Sequence, residues 1–380
     1  MAKIEELRAR IDKADEQMAS AFAERMSAAL EIAKYKQEQG LPVLDAARER
    51  EVVAKQVARV KPELAMYMKL LYNTLFDISR SYQQQRMTQD SSLSNHIALA
   101  LEQTPKLLPA QAVVACQGAE GAYSQQACEK LFALPTLVRV KRFEGVFQAI
   151  ESGLCRYGVL PIENSSYGSV SEVYDLMRKH RFHIVRSVKL KIDHQLLANP
   201  DATLGGIREV VSHEQAVGQC AAWLSTLGDV KLTMCGNTAE AAKLVSESGR
   251  TDIAAIASPA CAALYGLKVL KEDISISDSN FSRFICIAKE LEIYPGANKM
   301  SLMLGVQHKP GALYGMISRF AALGLNLTKL ESRPIAGTDF EFMFYFDLDA
   351  SVYDASALNV LSELDAGSEN FTFLGAYSEI

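Results

Sequence analysis

The sequence predicts a multidomain chain: an all-α segment over about residues 1–88, an α/β segment over about 111–292 and an α+β segment over about 299–380. Three patterns predict it. Apolar residues recur in steps of three and four from Ile4 to Tyr35, the spacing of one helix face. Short apolar runs alternate with helical stretches from Val113 to Ile287. The last 80 or so residues read strand, helix, strand, strand, helix, strand.

The first helix carries its seam on Ile4, Leu7, Ile11, Ala14, Met18, Ala21, Ala28, Ile32 and Tyr35, with Arg25 in the one remaining seam position, between Ala21 and Ala28. Gly40-Leu41-Pro42 stops it. At about 1.5 Å per residue it is roughly 50 Å long, more than one small domain can cover, so the seam is expected to pack against another chain. A guanidinium on that stripe is costly unless an anion meets it. Arg8 and Lys36 border the same stripe, and three cations on one apolar face predict a pocket for a small anion. Asp45 is placed to cap a second helix running to about Arg59. Pro62 opens a third, with Leu64, Met68, Leu71, Leu75, Ile78 and Tyr82 on its seam and Ser79 and Gln83 four apart beside it. A polar linker with a short helical patch follows, over about 89–110.

In the α/β segment, strands are expected at Val113–Ala115, Leu137–Val140, Gly158–Leu160, Glu209–Val211, Ile253–Ile256 and Phe284–Ile287. They suggest a mostly parallel sheet, long enough for two lobes, with ligands at the carboxyl ends of its strands. In the last segment, strands at Ser301–Val306, Leu325–Glu331 and Phe340–Phe346, a helix at Ala312–Leu323 and a turn at Gly337-Thr338 fit a ferredoxin-like βαββαβ unit.

Composition excludes several classes. Forty Lys and Arg stand against 45 Asp and Glu, a formal net charge of −5 without a basic tract, which argues against a nucleic-acid partner. The charged N-terminus is not a secretory signal, and no run approaches the roughly 20 apolar residues of a membrane span. The seven scattered cysteines lack CxxC spacing, which suits reduced thiols in the cytoplasm rather than a disulfide frame or zinc site.

Arg8, Arg25, Lys36, Asp45, Arg48, Glu49, Ser79 and Gln83 together resemble the helical class of chorismate mutase. Gly118 to Ser124, Pro161 to Ser166, Ser212 to Gln215, Asn237 to Glu240 and Asn280 to Phe284 resemble prephenate dehydratase, a two-lobed fold like periplasmic binding proteins. Gly311, Ala312 and Leu313, with Glu331, Ser332, Arg333 and Pro334, resemble an ACT regulatory domain. In this order the three match the bifunctional P-protein family of phenylalanine biosynthesis. Ser282 stands where that family usually has threonine; the hydroxyl is kept and the methyl that restricts its rotation is not.

The resemblance implies that chorismate is rearranged to prephenate, which then loses water and carbon dioxide to give phenylpyruvate. In the first step Arg8, Arg25 and Arg48 would grip the carboxylates, and Lys36 and Gln83 the ether oxygen. Asp45 and Glu49 would hold the ring hydroxyl, and Ser79 would assist at a carboxylate. The helices would interlace as a dimer, Arg8 coming from the partner. In the second step Ser282 would protonate the leaving hydroxyl. Arg283, Asn164, Ser165, Thr238 and Gln215 would bind the substrate with Phe284, while Glu163 and His213 would orient it or brace the cleft. The resemblance implies no metal or organic cofactor, and L-phenylalanine as an effector at a subunit interface in a dimer or tetramer. Three alternatives stay open: a helical domain kept only for dimerisation, a two-lobed sensor without catalysis, and arogenate as the preferred dehydratase substrate. Tyr123 and Ser124, after Gly121, could simply cap a helix.

Overall fold

The computed structural model describes residues 2–41, 45–87, 92–275, 279–306, 311–335, 341–367 and 370–380. Pro42, the turn at Gly337-Thr338 and Phe340 lie outside these. The chain forms two compact units. One comprises Met1–Asn95, Gln307–Gly324 and Ala355–Glu369; the other comprises His96–Val306, Leu325–Asp354 and Asn370–Ile380. The helices of the last predicted segment thus belong to the first unit and its strands to the second.

The first unit is helical. α1 (Ala2–Glu38) is continuous over 37 residues and closes at Gly40, whose positive φ of 64° lets the Leu41 N–H reach Lys36 O at 2.8 Å. Met26 and Ala33 are buried, yet Ile4, Leu7, Ile11, Met18, Ile32 and Tyr35 remain 45–61% exposed along the seam. α2 (Ala46–Val57) is capped by Asp45, whose side chain accepts the Arg48 N–H at 3.0 Å. A 3₁₀ turn at Pro62–Leu64 leads into α3 (Ala65–Met87), where fixed proline φ starts the helix. α4 (Ser92–Gln103) follows in the chain. α12 (Ala312–Ala322) and α13 (Ala355–Gly367) complete the unit, with Glu363 bridging Arg319 at 2.8 Å and Ser81 of α3 at 2.5 Å.

The second unit holds three sheets. The first has order β2-β1-β3-β11-β5: β1 (Gln111–Gln117), β2 (Leu134–Val140), β3 (Tyr157–Asn164), β5 (His183–Lys191) and β11 (Phe281–Ala288), with β4 (Gly168–Ser169) on β3. The second has order β10-β6-β9-β7-β8, built from β6 (Gln195–Ala198), β7 (Glu209–Ser212), β8 (Lys231–Met234), β9 (Ile253–Ala257) and β10 (Lys268–Lys271). Around them lie α5 (Tyr123–Leu131), α6 (Phe143–Glu151), α7 (Ser171–Lys179), α8 (Glu214–Gln219), α9 (Ala221–Leu224), α10 (Thr238–Ser248) and α11 (Pro259–Tyr265). These are two lobes, but their sheets are mixed rather than mostly parallel. β11 runs antiparallel to both β3 and β5, and β6 runs antiparallel to β9 and β10. The chain leaves the first lobe after β5 and returns to insert β11 in the reverse direction. Apolar runs encode burial on both faces but not strand direction.

The third sheet has order β13-β14-β12-β15: β12 (Lys299–Gly305), β13 (Asn326–Pro334), β14 (Phe342–Asp349) and β15 (Phe371–Tyr377), antiparallel throughout. Beyond β15 the chain runs beside β5, with Ser187 N–H to Ser378 O at 3.1 Å and Lys189 N–H to Ile380 O at 2.9 Å. Gly375 makes that approach possible. Its φ is +141°, and a Cβ there would lie 2.3 Å from Ile184 O. Gly375→Ala should therefore destabilise the second unit by about 2–4 kcal/mol, read as a lower urea midpoint. An unchanged midpoint would mean the strands can part without cost.

Among the described residues no helix is long and apolar enough to cross a membrane.

Candidate active sites

The helical unit gathers charge where α1, α2 and α3 meet. Arg25 is half-buried, its guanidinium 5.3 Å from the Phe76 ring centroid, and one terminal nitrogen, Nη1, is buried without a hydrogen-bond partner. Burial lowers its pKa from the usual arginine value, with Tyr72 and Glu49 acting in the opposite sense. A buried cationic donor without a hydrogen-bond partner is stabilised by an anion that reaches it. Glu49 is ion-paired to Arg80, which also binds Asp77. Arg80 was not singled out from sequence, because its partner Glu49 lies on another helix. Ser79 is buried and accepts from Gln83 Nε2 at 3.1 Å. Lys36 is half-buried on α1.

Three further predicted residues are exposed. Arg8 is exposed and lies 17 residues before Arg25, about 25 Å along the helix, so within one chain it cannot reach the same anion. Arg48 is exposed and held by Glu51 at 2.6 Å. Asp45 uses one carboxylate oxygen as the cap of α2.

The second site is a cavity of about 340 Å³ between the two lobes, within the range of small-molecule pockets. Asn164, His213, Gln215, Thr238, Ser282 and Phe284 line it. Several helices present their first turns: Tyr123 and Ser124 of α5, Phe143 of α6, Gln215 of α8 and Thr238 of α10. Free backbone N–H groups and the positive end of each helix dipole make such termini attractive to anions. Lys141 and Arg142, just beyond β2, add formal positive charge. They belong to no motif, and only their place at a strand's carboxyl end marked them in the sequence. Ala122, not Tyr123 or Ser124, occupies the cap position of α5 without a side-chain hydrogen bond.

Asn164 organises the floor of the cavity. Its Oδ1 accepts the N–H groups of Ser166 at 2.9 Å and Tyr167 at 3.0 Å, which fixes the amide orientation. Its Nδ2 must then donate, to Ser282 Oγ at 2.9 Å and Asn280 Oδ1 at 2.8 Å. Ser282 Oγ therefore accepts from Asn164 and keeps its own proton for another partner. Gln219 Oε1 receives Asn280 Nδ2 at 2.9 Å and lies 2.7 Å from His194 Nε2. With Gln219 Oε1 as acceptor, His194 donates from Nε2 and its Nδ1 is left as a buried, unpartnered acceptor. Tyr123 donates to Asp193 O, and burial raises its pKa far above the tyrosine value. His213 caps α8, its Nδ1 accepting the Gln215 N–H at 3.3 Å.

Burial pushes the pKa of His194 down to about 4 from 6.5, partly offset by its bond to Gln219. Between those values the unfolded chain binds a proton that the folded chain refuses, so stability from this group is complete above pH 6.5 and is lost as pH falls to 4. The loss is about 3 kcal/mol at the acid end. The urea midpoint should fall on acidification across that window, and less so in His194→Gln; an equal fall in both would contradict the assignment.

Glu163, Ser165 and Arg283 are not among the residues that line this cavity. Neighbouring strand residues face opposite sides. Ser282 and Phe284 face the cavity, so Arg283 faces away, where it is buried against Glu163 at 2.8 Å and against Asp347. Burial works against its charge, but Asp347, Tyr377 and Glu163 outweigh it and raise its pKa. Glu163 faces away likewise and binds Lys329 at 2.6 Å. Ser165 is exposed and pins the start of β11, accepting the Phe281 N–H at 2.9 Å.

The predicted regulatory residues are also placed. Gly311, at φ +84°, precedes α12, and Ala312 and Leu313 form its first turn. On β13, Glu331 accepts from Ser169 Oγ at 2.6 Å and Arg333 pairs with Asp175 of α7 at 2.7 Å, while Ser332 and Pro334 face outward.

Two families match the sequence: Chorismate mutase type II over residues 7–84 and Prephenate dehydratase over 114–292. The bifunctional chorismate mutase/prephenate dehydratase of Escherichia coli (strain K12) is 31% identical over 381 residues, covering 98% of this chain and 95% of that one. Arogenate dehydratase/prephenate dehydratase 2 of Arabidopsis thaliana is 38% identical over 276 residues, 70% of this chain and 72% of the relative. The solved prephenate dehydratase of Arthrobacter aurescens in complex with L-Phe is 28% identical with a TM-score of 0.65, covering 70% of this chain and 90% of that chain.

Proposed function

From the premise that this chain belongs to the bifunctional chorismate mutase/prephenate dehydratase family, we propose how its residues divide the work. The chain carries both activities and so serves phenylalanine biosynthesis. The helical segment over about 1–88 holds the mutase site, and 111–292 the dehydratase site. The mutase step is an intramolecular rearrangement, so the protein has to hold the reactive conformer and stabilise charge on the breaking ether oxygen. The orphaned Arg25 donor is the observation that carries this site. Lys36, Glu49, Ser79 and Gln83 complete it with Arg48 and Asp45, and Arg8 reaches it from a second chain. The uncovered seam of α1 supports that dimer, because a row of half-exposed Ile, Leu and Met gains from burial by about 25 cal/mol per Å².

In the dehydratase cavity, the hydrogen bond from Asn164 to Ser282 carries the reading. It leaves the serine proton free for the departing hydroxyl and stabilises the alkoxide that results. That hydroxyl leaves as water, the ring carboxylate leaves as carbon dioxide, and its bonding electrons complete the aromatic ring. Solvent returns a proton to Ser282. Lys141, Arg142 and the helix N-termini hold the carboxylates. Purified chain given prephenate should form phenylpyruvate; no product would contradict the assignment.

One observation favours a second substrate. Glu172 adds an acidic residue to a cavity lining whose other formal charges are Lys141 and Arg142. Prephenate has no cation to meet it, whereas arogenate carries an ammonium. Glu172→Gln should then lower kcat/KM for arogenate about tenfold and leave prephenate unchanged or improved, since one charged contact contributes about 1.4 kcal/mol. Equal losses on both substrates would remove Glu172 as a discriminator.

L-phenylalanine is the proposed effector of the last segment, 299–380, with Glu331 to Pro334 of β13 as its candidate contacts in the second unit. The contacts of Glu331 with Ser169 and of Arg333 with Asp175 support coupling, because α7 also carries Glu172 into the cavity.

A further inference from the structure

We infer that Arg283 is a positioning residue: through Asp347 it ties the C-terminal sheet to the strand bearing Ser282, and so sets where the Ser282 hydroxyl stands. The inference rests on the reading of Ser282 as proton donor. The two residues that share the key hydrogen bond, Ser282 and Asn164, are paired across β11 and β3, and the next rung pairs Arg283 with Glu163. Each of the two is therefore followed or preceded in the chain by a charged residue on the opposite face. Both charged residues are anchored to the C-terminal sheet, Arg283 to Asp347 of β14 and Glu163 to Lys329 of β13. Asp347 is itself fixed, since its Oδ1 accepts from Ser301 Oγ at 2.6 Å, and Ser301 Oγ lies 2.7 Å from Tyr377 Oη.

The local backbone makes this lever effective. The register of β11 against β3 shifts between Arg283 and Phe284, whose partners are Glu163 and Pro161, so Ile162 of β3 is the extra residue of a bulge one rung from Ser282. A bulge beside an active site re-aims the side chains around it, so the serine side chain depends on what holds the bulge. The Arg283 side chain is only 8% exposed. Burying a guanidinium between two carboxylates contributes little net stability compared with apolar packing, but the directed hydrogen bond from Arg283 Nη2 to Asp347 fixes geometry, with Glu163 adding a charge contact.

Steady-state kinetics of the full-length chain on prephenate, with chorismate consumption as an internal reference, test this. Asp347→Asn keeps the shape and loosens one arm. Its dehydratase kcat should fall about tenfold or more with KM within about twofold, because misplacing a reacting group by an ångström slows chemistry more than binding. Mutase kcat should not change. Arg283→Lys, which keeps charge without the fork, should fall between parent and Asp347→Asn. If Asp347→Asn does not fold, Ser301→Ala decides, with a drop in kcat of about two- to fivefold expected from one lost hydrogen bond to Asp347. Parental kcat in a folded Asp347→Asn, or failing that in Ser301→Ala, overturns the inference while Ser282→Ala is inactive. If Ser282→Ala is itself fully active, the proton-donor reading fails first and the positioning role with it.

Discussion

Ser282→Ala should lose about 10²- to 10⁴-fold in dehydratase kcat, the usual contribution of a placed general acid, while chorismate turnover stays at the parental rate. Ser282 Oγ is 2.9 Å from Asn164 Nδ2, an amide whose orientation two backbone N–H groups fix. Removing the oxygen leaves Asn164 one unfilled donor at the cavity wall and nothing to protonate the leaving hydroxide. Ser282→Thr should retain activity, since it restores the family's residue and adds only a methyl that narrows rotation. Measuring both activities on the same preparation separates a chemical loss from a folding loss. Full dehydratase activity in Ser282→Ala would assign the proton to another group, with His194 and water the first to test.

Arg25→Ala should produce the mirror image. Mutase turnover should fall about 10²- to 10³-fold, as when one preorganised donor to a developing or fixed anion is deleted, and dehydratase turnover should persist. The residue is half-buried over Phe76 with an unpartnered nitrogen. The expected stability change is small or favourable, because a partly buried cation with an unpartnered nitrogen leaves the helical unit. That pairing of lost activity with retained stability is the mark of a residue kept for its ligand. A pure dimerisation helix would show neither loss of turnover nor that gain, so persistent mutase activity would return the helical unit to a scaffold.

Much of this was legible because local rules and the final structure agree. The three-four seam of α1 and the cap at Asp45 follow from helix periodicity and from one side chain reaching an open N–H. The strand–helix order of the last segment follows from apolar patterning alone. Sheet direction was not legible, since Phe284 to Ile287 would be equally apolar in a strand running either way. Arg283 and Glu163 stand off the cavity for a reason visible in the sequence. If Ser282 faces a ligand in a strand, Arg283 does not, and a motif read as a block hides that alternation. Lys141, Arg142, His194 and Gln219 stand outside every motif and meet only through the fold. Arg80 is similar: its tie to Glu49 joins residues 31 apart on two helices.

The central claim is that one chain carries out both steps. It is tested most directly by giving purified protein chorismate alone and following chorismate loss and phenylpyruvate formation together, with and without L-phenylalanine. The account predicts that phenylpyruvate appears after a brief rise in prephenate, and more slowly when L-phenylalanine is present. Chorismate left untouched, or prephenate accumulating with no phenylpyruvate, would contradict it.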